Sequence, residues 1–598
     1  MNSILRITCA VNRVSAANPC SCYEHAADLL SQLQEEGSDI ILFPSMALCP
    51  PSTGSLLKNP CMAEQCEKYL DELCAISQKM DCYIIAGLVK DFHGRLCRVC
   101  AVMHQGCVLG YLPEGEEPIP GFDELLPPNT VFRCNDLTFS ILPGDPVQLP
   151  RLLPAIAANG CQAVLCPSYE PVTAEYLPRA ASYAKALSDA FGIGLVLCNG
   201  GVGDTSCPNT YKGFCEIYEC GQLLGTKDGD SESFFLSCDL DTDIIRSQQI
   251  YQLTRRPDFA IEVSNEKRKL LRAVSPSPFL PNHPQKLGRI FDLQVKSLAA
   301  RMSNTGLNKL VVGVSGGLDS TLALLVCQKA LEHLELPPQN LVGITMPGFG
   351  TSDRTYFNAL SLISALGGQN RDISIKSSVL QHFEDIGHDP SVKDVTYENA
   401  QARERTQILM DIANSCRGLV VGTGDMSEAA LGWCTFNGDH MASYNVNICI
   451  PKTVVRRMVT HLSHSYEPNI GSILRDIVDT PVSPELLPPD ESGKIAQKTE
   501  DILGSYDLHD FFLYYLLKYN LRPQKLFYYA CLAFSGVFAP VYIKDKLKIF
   551  ISRFFSGQFK RSCAPDSAKI TDLCLADYQF PSDCSSQTML SQLDNIVF

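Results

Sequence analysis

Apolar positions along residues 1–272 alternate between short continuous runs and amphipathic stretches. Ile4–Val11 reads as a strand. Tyr23–Gln34 repeats its apolar residues at helical spacing and stops before Gly37, so it reads as a helix. Ile40–Phe43 is a short apolar strand that ends at Pro44. The alternation continues with strand Tyr83–Val89, a hairpin of Cys97–His104 and Val108–Tyr111, and strand Thr138–Leu142. Helix Pro150–Ala158, strand Ala163–Cys166, helix Tyr176–Phe191 and strand Gly194–Cys198 follow, and Tyr211–Tyr218 with Gln222–Gly225 close the series. Strands joined by both helices and hairpins predict an α/β sandwich rather than an all-parallel sheet.

The rhythm changes further on. Residues 275–284 read SPSPFLPNHP, four prolines in ten residues, which forbids regular helix or strand. A domain boundary belongs there, giving a first domain over 1–272, a Pro-rich linker over 273–284 and a second domain over 285–598. The second domain opens with helix Gln285–Met302. Leu310–Val314 is then a continuous apolar run, as expected of a strand buried on both faces. Helix Thr321–His333 and strand Leu341–Thr345 follow, and this βαβ rhythm predicts a doubly wound parallel sheet. Leu526–Ile543 carries no charge, but it contains Gly536 and Pro540 and reads as a buried helix followed by a break, not as a membrane span.

Composition narrows the function. Lys+Arg is 50 and Asp+Glu 65, a net charge of −15, which argues against a chain built to grip nucleic acid. The 27 cysteines would suggest a disulfide framework in a short secreted chain. Here Arg6 and Arg13 interrupt the apolar start, as a secretory leader would not allow, so the expectation is a cytoplasmic protein with buried free thiols. Cys97 and Cys100 have no second pair at zinc spacing.

The strongest chemical signal is Val311–Ser320, VVGVSGGLDS, between the apolar strand and a helix. Gly316 and Gly317 let backbone N–H groups approach a phosphate, Ser315 and Ser320 offer hydroxyls, and the helix start favours an anion. Asp319 would repel phosphate alone, so its natural role is to hold Mg²⁺ against phosphate oxygens. The string resembles the pyrophosphate loop of the ATP pyrophosphatase superfamily, whose members adenylate a substrate and release pyrophosphate.

Further strings narrow the resemblance to NAD synthetases. Thr345–Thr355 (TMPGFGTSDRT) is similar to their adenine-side loop, and Glu398–Arg405 (ENAQARER) to their dinucleotide-reaching helix. Gly422–Glu428 (GTGDMSE), Leu431–Thr435 (LGWCT), Gly438-Asp439 and Pro451-Lys452-Thr453 follow in the family's order. Ser483–Leu486 (SPEL), Tyr506–Phe511 (YDLHDF) and Gln558–Arg561 (QFKR) complete the set, so the resemblance covers residues 285–585. It implies an adenine nucleotide alpha hydrolase-like fold and amidation of deamido-NAD through an adenylated intermediate. Asp319 and Glu428 would carry Mg²⁺. Ser315, Gly316, Gly317, Leu318, Asp319, Ser320, Thr423, Lys452 and Ser483 would bind ATP, with Lys452 neutralising charge on its phosphates. Asn399, Arg403, Glu428, Trp433, Cys434, Thr435, Phe436, Asp439 and Lys560 would contact deamido-NAD. Asp319, Glu428 and Lys452 would form the catalytic set. Ser483 stands where the family usually has threonine.

The first domain resembles the nitrilase-like amidase domain of glutamine-dependent NAD synthetases. Gly37–Pro44 matches its second strand, Gly110–Pro113 with Phe122–Glu124 its lysine loop, Phe139–Asp145 its nucleophile strand, and Gly201–Gly213 its glutamine-binding loop. The family's Glu–Lys–Cys triad is replaced by Ser45, Glu114 and Pro143, and no lysine occurs between Lys90 and Lys185. A hydroxyl is no base near neutral pH and proline offers no nucleophile. Cys134, Cys161 and Cys166 lie outside the motif and read as structural thiols. The expectation is therefore a synthetase that uses ammonia rather than its own glutaminase. Glutamine use through a separate glutaminase and a non-catalytic nucleotide-binding regulator are the alternatives. A tRNA-modifying relative would need a basic surface that the composition denies. The resemblance further implies a homodimer or larger homo-oligomer, with no nucleic acid or membrane partner.

Overall fold

A computed structural model of the chain defines residues 3–114, 124–173, 176–204, 209–229, 231–249, 256–263, 270–280, 284–480, 502–571, 573–575, 578, 580–594 and 596. Two compact units divide it, Met1–Ala273 and Val274–Phe598.

The strands of the first unit are β1 (Ile4–Val11), β2 (Ile40–Leu42), β3 (Tyr83–Phe92), β4 (Arg95–His104), β5 (Cys107–Pro113), β6 (Phe132–Cys134) and β7 (Leu137–Ile141). They continue with β8 (Ala163–Ser168), β9 (Gly194–Asn199), β10 (Gly213–Glu219), β11 (Gln222–Gly229), β12 (Phe234–Asp241) and β13 (Phe259–Ile261). Six lie in the order β12-β1-β2-β3-β4-β5 and seven in the order β11-β10-β9-β8-β7-β6-β13. Parallel and antiparallel neighbours mix: β1 is parallel to β2 and antiparallel to β12, with Ile7 opposite both Ile40 and Cys238.

The two sheets meet face to face. Leu5, Ile7, Leu42 and Ile85 from one pack with Phe139, Leu165 and Val196 from the other in a fully buried layer. Helices Pro19–Leu33 and Pro60–Ser77 cover one outer face, setting Leu29, Leu30, Leu70 and Leu73 against Ile41 and Ile84. Helices Leu149–Ala157 and Tyr176–Phe191 cover the other, with Leu153 and Ala180 against Val164 and Leu195. The result is a nitrilase-like α-β-β-α sandwich.

The second unit holds β14 (Lys309–Gly313), β15 (Leu341–Thr345), β16 (Gln369–Asp372), β17 (Gly418–Gly422) and β18 (Tyr444–Asn445), in the order β16-β15-β14-β17-β18. Every pairing is parallel. Leu310 and Val312 face one apolar layer with Leu322 and Val455, and Val311 faces another with Phe383 and Tyr397. Both faces are therefore covered, as in a doubly wound sheet. The chain moves outward from β14 to β15 and β16, then returns to β17 on the other side. The carboxyl end of β14 is thus the topological switch point, where such sheets open a crevice.

The uncharged stretch at 526–543 is split. Helix Pro523–Ala533 ends before Gly536, whose φ is +79°, and helix Pro540–Ser556 begins afresh. No helix among the described residues is long and apolar enough to cross a membrane.

Candidate active site

The loop at the switch point is shaped by glycine. Gly316 has φ +84°, and a Cβ there would lie 2.1 Å from the Thr355 carbonyl oxygen, so no other residue fits. Gly317 precedes helix Leu318–His333 without a side-chain cap, which leaves first-turn amides open to an anion. Ser315 Oγ accepts from Gly317 N at 3.2 Å and lies 3.2 Å from Ser320 Oγ.

Asp319, on that first turn, meets two charged side chains from distant segments. Lys452 is the first residue of helix Lys452–Leu462, and Glu428 lies in helix Met426–Leu431. Lys452 Nζ is 2.6 Å from Asp319 Oδ2, 2.9 Å from Glu428 Oε1 and 2.8 Å from Asp425 Oδ2. Asp425 is a residue that the sequence reading quoted but gave no role. Its signal was an aspartate three residues before Glu428 at a helix start, a capping pattern. It caps that helix by accepting from Glu428 N at 2.8 Å.

The cluster is short of positive charge: one ammonium faces three carboxylates. Burial disfavours the Lys452 ammonium, yet Asp319, Asp425 and Glu428 outweigh it and hold the proton well above the ordinary lysine range. Burial pushes Asp425 well up and Glu428 up to about 7, with Lys452 pulling both back. One oxygen from each of Asp319, Asp425 and Glu428 falls within a 4.8 Å span. Asp319 Oδ1 is buried with no hydrogen-bond partner among the described residues. An all-oxygen donor set with an orphaned carboxylate oxygen and excess negative charge fits a hard divalent cation.

Buried amides hold the neighbouring backbone. Asn447 Nδ2 donates to the carbonyls of Asp319 at 2.9 Å and Thr423 at 3.0 Å, and Gln294 Nε2 donates to Asn447 Oδ1 at 3.1 Å. Neither amide was singled out by the sequence.

A cavity of 570 Å³ opens beside the carboxylates, lined by Thr423, Asp425, Glu428, Cys434, Asp439 and Lys560 among others. Lys560 Nζ donates to the carbonyls of Gly432 at 2.8 Å and Cys434 at 2.5 Å, fixing the loop after Glu428. Asn399 Oδ1 accepts from Thr435 Oγ1 at 2.8 Å, and Arg403 donates to the Phe436 carbonyl at 3.4 Å, so both reach this loop without lining the cavity. Trp433 lies under the Arg553 guanidinium, 4.9 Å from its ring centre, and Phe436 is exposed. Ser483, expected at the ATP site, lies outside the described residues.

The free-thiol expectation holds for the other cysteines among the described residues and is corrected for one pair. Cys449 and Cys574, separated by 125 residues, are bonded to each other, and Cys574 lines the cavity. No spacing rule pairs cysteines that far apart.

In the first unit, Ser45 is buried and its hydroxyl has no hydrogen-bond partner among the described residues. Glu114 is pushed up by burial, with the Arg98 guanidinium 3.9 Å away pulling it back. Pro143 is buried before Gly144, and Cys166 Sγ donates to the Gly144 carbonyl at 3.6 Å. Burial, then Asp145, Glu170 and Glu114, raises the Cys166 thiol far above the range of a reactive thiolate. Cys134 is raised likewise by burial and Asp39. Residues 115–123 and 205–208, which hold parts of the expected lysine and glutamine-binding loops, lie outside the described residues.

The NAD synthase family matches residues 290–530. A glutamine-dependent NAD(+) synthetase of Mycobacterium leprae is 30% identical over 99% of this chain and 98% of its own. That of Mycobacterium tuberculosis is 29% identical over 100% and 98%. Among solved structures, a glutamine-dependent NAD(+) synthetase from Cytophaga hutchinsonii is 16% identical, covers 99% of this chain and 100% of its own, and has a TM-score of 0.43. The expectation of a synthetase that uses ammonia rather than its own glutaminase is overturned by the two mycobacterial relatives, which favour its alternative of glutamine use. They align along the whole chain, first unit included, and are glutamine-dependent by name. Ser45, Glu114 and Pro143 bear on whether this chain frees ammonia itself, not on whether glutamine is the nitrogen source.

Proposed function

The chain belongs to the glutamine-dependent NAD(+) synthetases, ATP-dependent carbon–nitrogen ligases, and from that membership we propose that it converts deamido-NAD to NAD⁺ with nitrogen drawn from glutamine through a separate glutaminase. The observation that carries the synthetase reading is the Lys452 ammonium within 2.9 Å of Asp319, Asp425 and Glu428 beside the glycine loop. The separate glutaminase is supported by the hydroxyl, carboxylate and pyrrolidine ring at positions 45, 114 and 143 and by the high-pKa thiol at Cys166. The setting is cytoplasmic, and the family resemblance supports a homodimer or larger assembly.

A carboxylate is a poor electrophile because its oxygens leave badly. In the proposed first step the nicotinate oxygen attacks the α-phosphorus of ATP and pyrophosphate leaves. Ammonia released from glutamine then attacks the acyl carbon, and AMP departs with the bond electrons. This chemistry needs positioning and charge neutralisation more than covalent help. Ser315, Gly316, Gly317, Leu318 and Ser320 cradle the ATP phosphates, Thr423 and Ser483 add hydrogen bonds, and Lys452 offsets charge on the leaving pyrophosphate. Asn399, Arg403, Trp433, Cys434, Thr435, Phe436, Asp439 and Lys560 receive deamido-NAD. Mg²⁺ held by Asp319, Glu428 and the added Asp425 would supply further positive charge at the phosphates.

The test gives the purified chain deamido-NAD, ATP, Mg²⁺ and amide-labelled glutamine, with and without an added active glutaminase. The expected result is labelled NAD⁺ only when the glutaminase is present. Label from the chain alone would overturn the two-protein route, and no NAD⁺ under either condition would overturn the synthetase reading.

A further inference from the structure

We propose that Asp510 is a positioning residue that locks the Glu428 turn and the Lys452 helix into one register through Ser427 and Thr453. The inference rests on the reading above, in which Glu428 and Lys452 serve ATP-dependent amidation.

Helix Lys452–Leu462 begins after Pro451, which has no side chain able to accept a first-turn N–H. The acceptor comes from another helix, Tyr506–Tyr519. Asp510 Oδ2 accepts from Thr453 N at 3.0 Å and from Thr453 Oγ1 at 2.7 Å. Asp510 Oδ1 accepts from Ser427 Oγ. Ser427 Oγ in turn accepts from Lys452 N at 2.8 Å. One carboxylate therefore gathers both segment starts, and each carries a charged residue of the site: Ser427 adjoins Glu428, and Thr453 adjoins Lys452.

Asp510 is 2% exposed, Ser427 is 1% exposed, and no cation pairs with Asp510 among the described residues. A buried carboxylate without a counter-ion is costly unless its lone pairs are filled. Three donors and the positive end of a helix fill them, and bonds to an ionised acceptor are stronger than neutral ones. Such a bridge is stiffer than a neutral amide could make it. Its stiffness acts on Lys452 Nζ, whose contacts of 2.6, 2.8 and 2.9 Å to three carboxylates leave little room for displacement. Asp510 touches neither the cavity nor the carboxylate cluster, so its effect passes through the two segments it joins.

The experiment uses full-length protein and variants Asp510→Asn, Ser427→Ala and the double variant. It reads deamido-NAD-dependent exchange of labelled pyrophosphate into ATP, a half-reaction that needs no nitrogen donor. Expected is a fall in exchange kcat of about tenfold to hundredfold in each single variant, the scale of a small misplacement of a reacting group. KM for deamido-NAD should stay within about twofold, and the double variant should be no slower than Asp510→Asn, because both changes cut one linkage. Trp433 is the only tryptophan and its backbone N–H donates to the Glu428 carbonyl at 2.9 Å, which ties the residue to the Glu428 turn, so its emission reports that turn without turnover. The emission change on adding Mg²⁺ and ATP should be altered in both single variants. Unchanged kcat, a raised KM with intact kcat, multiplying effects in the double variant, or wild-type Trp433 responses would overturn the proposal. If Asp510→Asn fails to fold, Ser427→Ala removes one arm and Thr453→Val the hydroxyl bond of the other, and each must lower exchange kcat with KM held. If wild-type protein shows no exchange, the synthetase reading fails, while the Trp433 response still decides the role of Asp510.

Discussion

Lys452 Nζ lies 2.6 Å from Asp319 Oδ2, across 133 residues of chain, and this contact joins the glycine loop to the helix after Pro451. The ammonium is the single cation in contact with the carboxylate cluster among the described residues. Lys452→Met should therefore lower pyrophosphate exchange by about 10²–10³-fold, the loss typical of removing one preorganised charge-stabilising group. Lys452→Arg should recover little, because a planar guanidinium cannot sit as a point charge among three carboxylates. Recovery of most of the activity by arginine would show that the charge matters and the triple contact does not.

Gly316→Ala tests the loop without changing charge. The added Cβ would strike the Thr355 carbonyl at 2.1 Å, and φ at +84° disfavours it independently. The variant should lose at least about 1 kcal/mol of stability. It should also raise KM for ATP while leaving the substrate cavity unaltered. Steady-state exchange kinetics with urea unfolding would check both parts, and an ATP KM equal to wild type would refute the cradle.

Acidic crowding at the altered triad positions should show in pH dependence. Glu170 is pushed up to about 7, first by burial and then by Asp145 and Glu114. An unfolded glutamate ionises near 4.5, so between 4.5 and about 7 the folded chain keeps a proton that the unfolded chain has lost. This group's contribution to stability is greatest below 4.5, falls as pH rises through that window, and is level above it. Glu114 is shifted in the same sense. Glu170→Gln should flatten the decline. Urea midpoints of variant and wild type at about pH 5 and about pH 8 would show it, and parallel pH slopes would refute it.

The fold was legible where burial and apolar pattern coincide. Leu341–Thr345 and Tyr176–Phe191 have the bounds that their patterns predict, and β14 differs by one residue at each end. Strand β16 was invisible because Gln369–Asp372 is an exposed polar edge with no alternation to read. Helix Pro60–Ser77 was missed because its buried face is carried partly by Ala63, Cys66, Cys74 and Ser77, weak markers of an apolar stripe. At the site, contiguous strings exposed Asp319, Glu428 and Lys452. Asp510 stands in the string Tyr506–Phe511, but the string assigns it no role, because its partners Thr453 and Ser427 lie 57 and 83 residues away. Its meaning depends on a helix start whose cap comes from elsewhere.

The Cys449–Cys574 bond makes the cavity wall sensitive to reductant. Cys449 lies three residues before Lys452, and Cys574 lines the cavity with Leu575 and Tyr578. Other ties hold the same stretch: Thr571 Oγ1 donates to the Cys449 carbonyl at 3.2 Å, Asn445 N to the Asp566 carbonyl at 2.9 Å, and Tyr578 OH to the Leu517 carbonyl at 2.8 Å. Loss of the bond should therefore loosen the wall without unfolding it. Cys574→Ser should cost about 2–4 kcal/mol of stability, the usual value of a bond closing a long loop. It should raise KM for deamido-NAD several-fold while exchange kcat at saturation stays within about twofold, since neither the glycine loop nor the Lys452 contacts include Cys574. Reductant should reproduce both effects in wild type and add nothing to the variant. That comparison isolates this pair from the other cysteines, and a further loss in the reduced variant would assign the sensitivity elsewhere.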